Sequence, residues 1–350
     1  MQQKRIRVFV VDDSMLFRKL LTDNLSRFPE LEIVGSAVDA FDAMRQIPNL
    51  RPDVVTLDVE MPKMTGLEFV KQLMPKYPVP VILVSSLNLS VFDALSAGAV
   101  DFVRKPDMDK QKVTAFIANL MLKIRIASVA KVRVPATAPA MVAAPVQNGP
   151  IRLTNGSLKM NSFIIAIGAS TGGTEATLSV LKELPENTPG IVVTQHMPEG
   201  FTKMYAERLD RLCKMRVREA KDGDLIERGL VLIAPGNFQM RVARSGMRHI
   251  VRCTKEEKVS GHMPSVDVLF SSMAENVIDG MGVILTGMGM DGAKGMLKMR
   301  QKGMYTIGQS RESCVVYGMP MEARKLGATQ TEMACERMPA AIVNYLNGVK

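Results

Sequence analysis

Over the first third of the chain, compact apolar runs alternate with stretches whose apolar positions recur at helical spacing. The runs are 6–11 (IRVFVV), 31–37 (LEIVGSA), 54–58 (VVTLD), 79–84 (VPVILV) and 100–103 (VDFV). Each is short, and the first is a compact β-branched run, as a buried strand should be. Between them, 15–27, 38–47, 65–75 and 90–97 predict helices, with a fifth near 109–127. Strict alternation of this kind predicts an α/β fold, a parallel sheet covered on both faces. Ligands then bind beyond the carboxyl ends of the strands.

From 128 to 150 the texture changes to an Ala-, Val- and Pro-rich segment without helical or strand period, which reads as a semi-extended linker. A second alternation follows. Its expected strands are 163–168, 190–195, 230–234, 248–252 and 281–286, and its expected helices 173–184, 201–211, 265–277, 291–302 and 339–347. The expected division is 1–127, a linker 128–155, and 156–350. No internal repeat is present.

Composition narrows the class without naming a function. Of 350 residues, 47% are hydrophobic and 23% charged, as in an ordinary globular protein. The longest apolar stretch, Phe163 to Ala169, is far short of the ~20 residues a spanning helix needs. The run after Lys4, Arg5 and Arg7 stops at Asp12, too early for a signal peptide. A cytoplasmic protein with no membrane insertion is expected. Cys213, Cys253, Cys314 and Cys335 form no CxxC pair and read as reduced structural thiols. The 27 methionines read as core filling.

The net charge of +10 is diluted. Residues 1–125 hold 17 basic and 15 acidic side chains, and residues 161–350 hold 24 and 20. A nucleic-acid partner, which usually calls for a concentrated basic face, is therefore not expected. The densest cluster, Lys203, Arg208, Arg211, Lys214, Arg216, Arg218 and Lys221, reads first as a solvated face. A docking face for an acidic partner is the sharper alternative.

Polar chemistry gathers at strand ends. Asp12 and Asp13 close the first expected strand, Asp58 the third and Ser85 the fourth, while Lys105 follows the fifth. A parallel sheet brings these five to one edge. Three crowded carboxylates call for a cation, and oxygen ligands favour Mg²⁺. A carboxylate can also accept a phosphoryl group, which a lysine and a hydroxyl would suit. Any one Asp is ordinarily a turn or helix cap; all five together are hard to explain so. The constellation, over about residues 4–125, resembles the receiver domain of two-component response regulators, a flavodoxin-like fold with a five-stranded parallel sheet. That resemblance implies phosphorylation of Asp58, Mg²⁺ held by Asp12, Asp13 and Asp58, and a switch formed by Ser85, Phe102 and Lys105.

In the second block, Gly168-Ala169-Ser170-Thr171-Gly172 fits G-x-S-x-G, a sharp strand-to-helix turn that exposes a serine hydroxyl. The ordinary alternative is a Gly-rich turn that binds phosphate at a helix start. A serine needs a base. His196 ends the next strand on the same edge, whereas His249 and His262 read as structural. Asp291 follows the strand 281–286 on that edge. Gly287 to Gly292 also fits G-x-G-x-x-G, yet the residue near the position for a ribose-binding acid is Gln309, which is uncharged. The order Ser170, His196, Asp291 differs from that of α/β-hydrolases, but triads are defined by geometry.

The stretches IGASTGG, TQHMP, APGN, HMPSVDVLF and ILTGMGMDGAKG resemble the catalytic domain of chemotaxis protein-glutamate methylesterases, the CheB family. With the receiver in front, the resemblance covers nearly the whole chain. It implies a Rossmann-like doubly wound catalytic domain without a cofactor of its own. It further implies hydrolysis of γ-methyl glutamyl esters on methylated chemoreceptors, deamidation of selected glutamines, and a chemotaxis histidine kinase as phosphodonor. Met288 would give an oxyanion N–H, with Thr171 as a helper. The receiver is expected to restrain the serine cleft until Asp58 is phosphorylated. The competing readings are a response regulator with a non-catalytic binding output, a nucleotide-dependent enzyme, and a hydrolase of small esters.

Overall fold

In the computed structural model, the described residues are 4–86, 90–107, 109–132, 151–154, 156 and 158–349. The chain divides into two compact units, Met1–Ala144 and Pro145–Lys350. Most of the expected linker, 133–150, lies outside the described residues.

The first unit alternates β1 (Ile6–Val11), α1 (Met15–Leu25), β2 (Leu31–Ala37), α2 (Ala40–Leu50), β3 (Val54–Asp58), α3 (Gly66–Leu73), β4 (Val81–Ser85), α4 (Ser90–Ser96), β5 (Asp101–Arg104) and α5 (Lys110–Ala127). All pairings are parallel, in the order β2-β1-β3-β4-β5. This is the flavodoxin-like order. Strands β3 and β4 are buried along their whole length, which is why they read as unbroken apolar runs. Local chemistry starts the helices where the strands release the chain. The Ser14 hydroxyl accepts from Phe17 N at the head of α1, and Thr65 and Glu68 form a capping box on α3.

The second unit contains β6 (Ile164–Ala169), α6 (Gly173–Leu181), β7 (Gly190–Gln195), α7 (Phe201–Leu212), β8 (Arg216–Glu219), β9 (Leu230–Ile233), β10 (Gln239–Ser245), β11 (Arg248–Thr254), α8 (Val266–Asn276), β12 (Gly280–Ile284), α9 (Ala293–Gln301), β13 (Tyr305–Gln309), α10 (Met319–Lys325), β14 (Thr331–Met333) and α11 (Met338–Gly348). Seven strands form a parallel sheet ordered β14-β13-β12-β6-β7-β9-β8. The winding reverses between β6 and β12, and a crevice opens at such a switch point. Met273, Met296, Met299, Met304 and Met319 fill the core beside Leu269 and Phe270.

The expected strand at 248–252 is present, but it lies outside the parallel sheet. It is β11, which pairs antiparallel with β10 in a two-stranded ribbon apart from the main sheet. The ribbon lies on α8, where the Ser272 hydroxyl accepts from Val242 N at 2.9 Å. Strands β8, β10, β13 and β14 and helix α10 were not expected from the periodicity.

Among the described residues, no helix is long and apolar enough to cross a membrane. Among the described residues the cysteines form no disulfide. Burial pushes the Cys213 thiol up to about 11 and that of Cys253 up to about 12, so both are poor nucleophiles at neutral pH.

Candidate active site

In the first unit the five expected residues converge on one edge of the sheet. One carboxylate oxygen from each of Asp12, Asp13 and Asp58 lies within 4.8 Å of the others. Asp12 and Asp58 are buried, while Asp13 is exposed at the rim. Lys105 Nζ reaches Asp58 Oδ2 at 2.5 Å and Asp12 Oδ2 at 3.0 Å. Burial raises the carboxyls of Asp58 and Asp12 above their ordinary values, and Lys105 only partly offsets it. The lysine, penalised by burial but paired with both, is itself raised. Two buried carboxylates against one ammonium leave the pocket electron-rich, and an all-oxygen donor set suits a hard divalent ion. Ser85 Oγ is buried without a hydrogen-bond partner among the described residues. Phe102 is turned inward, edge-on to Phe92 at 6.2 Å.

The second site is built at the switch point. Ala169 lies opposite Gln195 in the β6–β7 register, so Ser170 and His196 leave the sheet at the same level. His196 N donates to Ala169 O at 3.1 Å, and Ser170 N donates to Thr286 O at 3.0 Å. A β-carbon on Gly287 would stand 2.6 Å from Ser170 Cβ, so only glycine lets the turn after β12 approach the serine.

His196 Nε2 bonds Asp291 Oδ2 at 2.7 Å. Asp291 is 2% exposed and also accepts from Ser265 Oγ at 2.7 Å, Val266 N at 2.8 Å and Asp267 N at 3.0 Å. Its carboxylate thus sits on the N-terminus of α8, where orphan amides and the helix dipole favour negative charge. Burial pushes the Asp291 carboxyl up, but the hydrogen bonds from His196, Ser265 and Asp267 prevail and hold it below its ordinary value. With Nε2 committed to Asp291, the nitrogen left for a proton is Nδ1. It is buried and has no hydrogen-bond partner among the described residues. The catalytic serine–histidine bond often tightens only when substrate arrives.

Of the residues expected from sequence, Met288 is 42% exposed on the turn after β12 and Thr171 is buried behind Ser170. Thr171 O accepts from Thr286 Oγ1 at 3.1 Å, which ties the elbow to that turn. His262, read as structural, packs its ring on His196 with centroids 3.6 Å apart and planes 8° apart. It lies in a loop outside the periodic elements, so no strand-end argument could place it. His249 is structural, with Nε2 3.1 Å from Asn276 O. Gln309 accepts from Thr286 N at 2.7 Å and donates to Ser313 O at 2.7 Å, an internal brace rather than a ribose reader. Arg208 of the basic cluster is buried and paired with Glu175 at 3.0 Å, so the cluster is not one solvated face.

Two segments of the chain match known families. The response regulator receiver domain matches residues 8–118, and the CheB methylesterase matches residues 165–342. The chain belongs to the CheB methylesterase family. A protein-glutamate methylesterase/protein-glutamine glutaminase from Syntrophomonas wolfei is 48% identical over 99% of both chains. One of the same name from Pseudomonas aeruginosa is 46% identical over 97% of this chain and 96% of its own. Among solved structures, the Thermotoga maritima CheB methylesterase catalytic domain is 37% identical with a TM-score of 0.51, covering 52% of this chain and 97% of its own. The chain is accordingly a hydrolase with a response-regulator receiver ahead of a methylesterase domain, and the reading of a non-catalytic binding output is not favoured.

Proposed function

We propose that this CheB-family enzyme removes methanol from γ-methyl glutamyl esters on cytoplasmic segments of methylated chemoreceptors. It deamidates selected glutamines at the same site, giving sensory adaptation. The observation that carries the reading is the His196–Asp291 pair, held on the head of α8 one strand from Ser170. In this reading Ser170 Oγ attacks the ester carbonyl while His196 Nδ1 takes its proton. His196 returns the proton to the departing methoxide, which leaves as methanol. It then draws a proton from water, whose attack on the acyl-enzyme frees the glutamate and regenerates Ser170. Asp291 keeps the proton on Nε2, which orients Nδ1 as the base, and it stabilises the imidazolium. Among the described residues no hydrogen bond uses Met288 N–H, which suits it to the oxyanion. One such donor is worth about 3 kcal/mol. Thr171 supports the turn.

The receiver is the switch. Asp12, Asp13 and Asp58 would hold Mg²⁺, which when bound supplies charge neutralisation for phosphoryl transfer. Asp58 takes the phosphoryl group from a chemotaxis histidine kinase. Lys105 and Ser85 then face a dianion in place of a carboxylate, and Phe102 reports the change. Each tenfold of activation needs only about 1.4 kcal/mol of differential stabilisation. The division at 1–127, 128–155 and 156–350, and a cytoplasmic location, belong to this proposal.

Methanol release from a methylated receptor fragment, with Mg²⁺ and with or without a small phosphodonor, tests the whole reading. Release that rises with the donor and vanishes in Ser170→Ala is expected. Release indifferent to the donor would discard the receiver as the switch, and no release from folded protein would sink the triad for this substrate. A fragment lacking residues 1–150 should release methanol faster than the unphosphorylated full chain.

A further inference from the structure

β7 ends on Gln195, immediately before His196. Its side chain is buried, and its amide Nε2 donates to Ser170 O at 2.9 Å and to His196 O at 3.3 Å. Two carbonyl acceptors can be met only by N–H, so they fix which end of the amide is nitrogen. One NH₂ group therefore bridges the backbone of the nucleophile and the backbone of the base. Ser170 O also accepts from Gly173 N at 2.7 Å, the bond that closes the elbow.

The other end of the amide has no such reward. Gln195 Oε1 is buried and has no hydrogen-bond partner among the described residues. It presses on the start of α6: a β-carbon on Gly173 would stand 2.3 Å from it. A buried orphan acceptor destabilises a fold, and an apolar side chain of similar length would avoid it. Breaches of local rules without a structural gain concentrate at functional sites.

We propose that Gln195 is a positioning residue of the esterase, whose amide fixes the spacing between the Ser170 elbow and His196. This rests on the Ser170–His196–Asp291 reading. Both carbonyls are pinned to one rigid group, so the hydroxyl and Nδ1 cannot drift independently. The site tolerates little drift: a displacement of about 1 Å can cost about 10²-fold in rate.

The test uses the full chain carrying Gln195→Met, which keeps length and apolar volume and removes both donors. The expected result is a fall of about 10- to 100-fold in kcat for methanol release, with KM within about twofold. Labelling of Ser170 by a fluorophosphonate probe should slow in parallel, and the melting temperature should change little, because losing the orphan oxygen offsets losing the bond to His196 O. Gln195→Glu, which keeps the shape but replaces donors by acceptors, should be at least as slow. Wild-type kcat and labelling in Gln195→Met would overturn the inference. So would a loss of activity that merely follows a loss of stability, or failure of that variant to fold. Ser170→Ala separates the two layers. If it still releases methanol, the triad reading fails; if it is inactive while Gln195→Met is unimpaired, only the role of Gln195 fails.

Discussion

Asp58 and Asp291 are both carboxylates placed at or beyond the carboxyl end of a parallel strand, 3% and 2% exposed. Among the described residues Asp58 has one cation in reach, Lys105, which it shares with Asp12, and it accepts from Glu60 N at 3.1 Å. Asp291 has four donors to itself, three of them from the head of α8 and its cap. The result is opposite: burial wins at Asp58 and lifts its carboxyl, while the donors win at Asp291 and lower it. A pocket left short of positive charge is ready for a cation and a transferable group. A saturated carboxylate has no capacity left for a ligand and serves to hold its neighbour still. The same strand-end geometry thus yields a receptive site and a rigid one, according to how many donors face the carboxylate.

Turnover gives the largest tests of this contrast. Ser170→Ala should reduce methanol release to background, about 10⁶-fold below wild type. Asp291→Asn should cost about 10³- to 10⁴-fold, because an amide presents His196 with the wrong tautomer. If Asp291→Asn released methanol within tenfold of wild type, the rigid half of the comparison would collapse. Replacing the stacked ring, His262→Asn, should cost about tenfold in kcat, equivalent to about 1.4 kcal/mol. An unchanged rate would make His262 a bystander of the packing.

Stability gives the finer tests, with opposite signs in the two units. The Asp58 carboxyl is raised in the fold, so its charged form is a burden at neutral pH. Asp58→Asn should raise the receiver's melting transition near pH 7, and the gain should vanish as pH falls below the ordinary carboxylate range. Asp291 is lowered, so it stabilises above its unfolded value and loses that contribution as pH falls through its depressed one. Asp291→Asn should therefore destabilise the catalytic unit at neutral pH, by an amount that shrinks on acidification. Melting curves of the two variants across pH that ran parallel would remove the electrostatic distinction. Mg²⁺ at about 100 times its dissociation constant should add about 2.7 kcal/mol to the receiver and far less in Asp13→Asn.

Much of this was legible in the sequence because the chemistry stands at the ends of apolar runs. VVTLD, VILVS and GIVVTQ each end on or beside a functional residue, so Asp58, Ser85 and His196 are placed by the same pattern that predicts their strands. The weak elements lie where that pattern fails. β8 is the edge strand RVRE, whose outward arginines hide its one buried valine and suit an unpaired edge. β14 is three residues of TEM, too short for any period. His262 reaches the site through a loop, and Ser265 and Val266 act on Asp291 through a helix cap and an amide. Gln195 lay in plain view beside His196, but nothing in a linear reading shows that its amide turns back to Ser170 O.

The switch point between β6 and β12 also sets a schedule. Ser170 and His196, the proposed nucleophile and base, follow consecutive strands and leave the ribosome about 26 residues apart, whereas Asp291 follows His196 by 95 residues. At roughly 5–20 residues per second, several seconds separate synthesis of His196 from synthesis of Asp291. Because β12 lies beside β6 on the far side from β7, the proposed triad is complete only once β12 has joined the sheet.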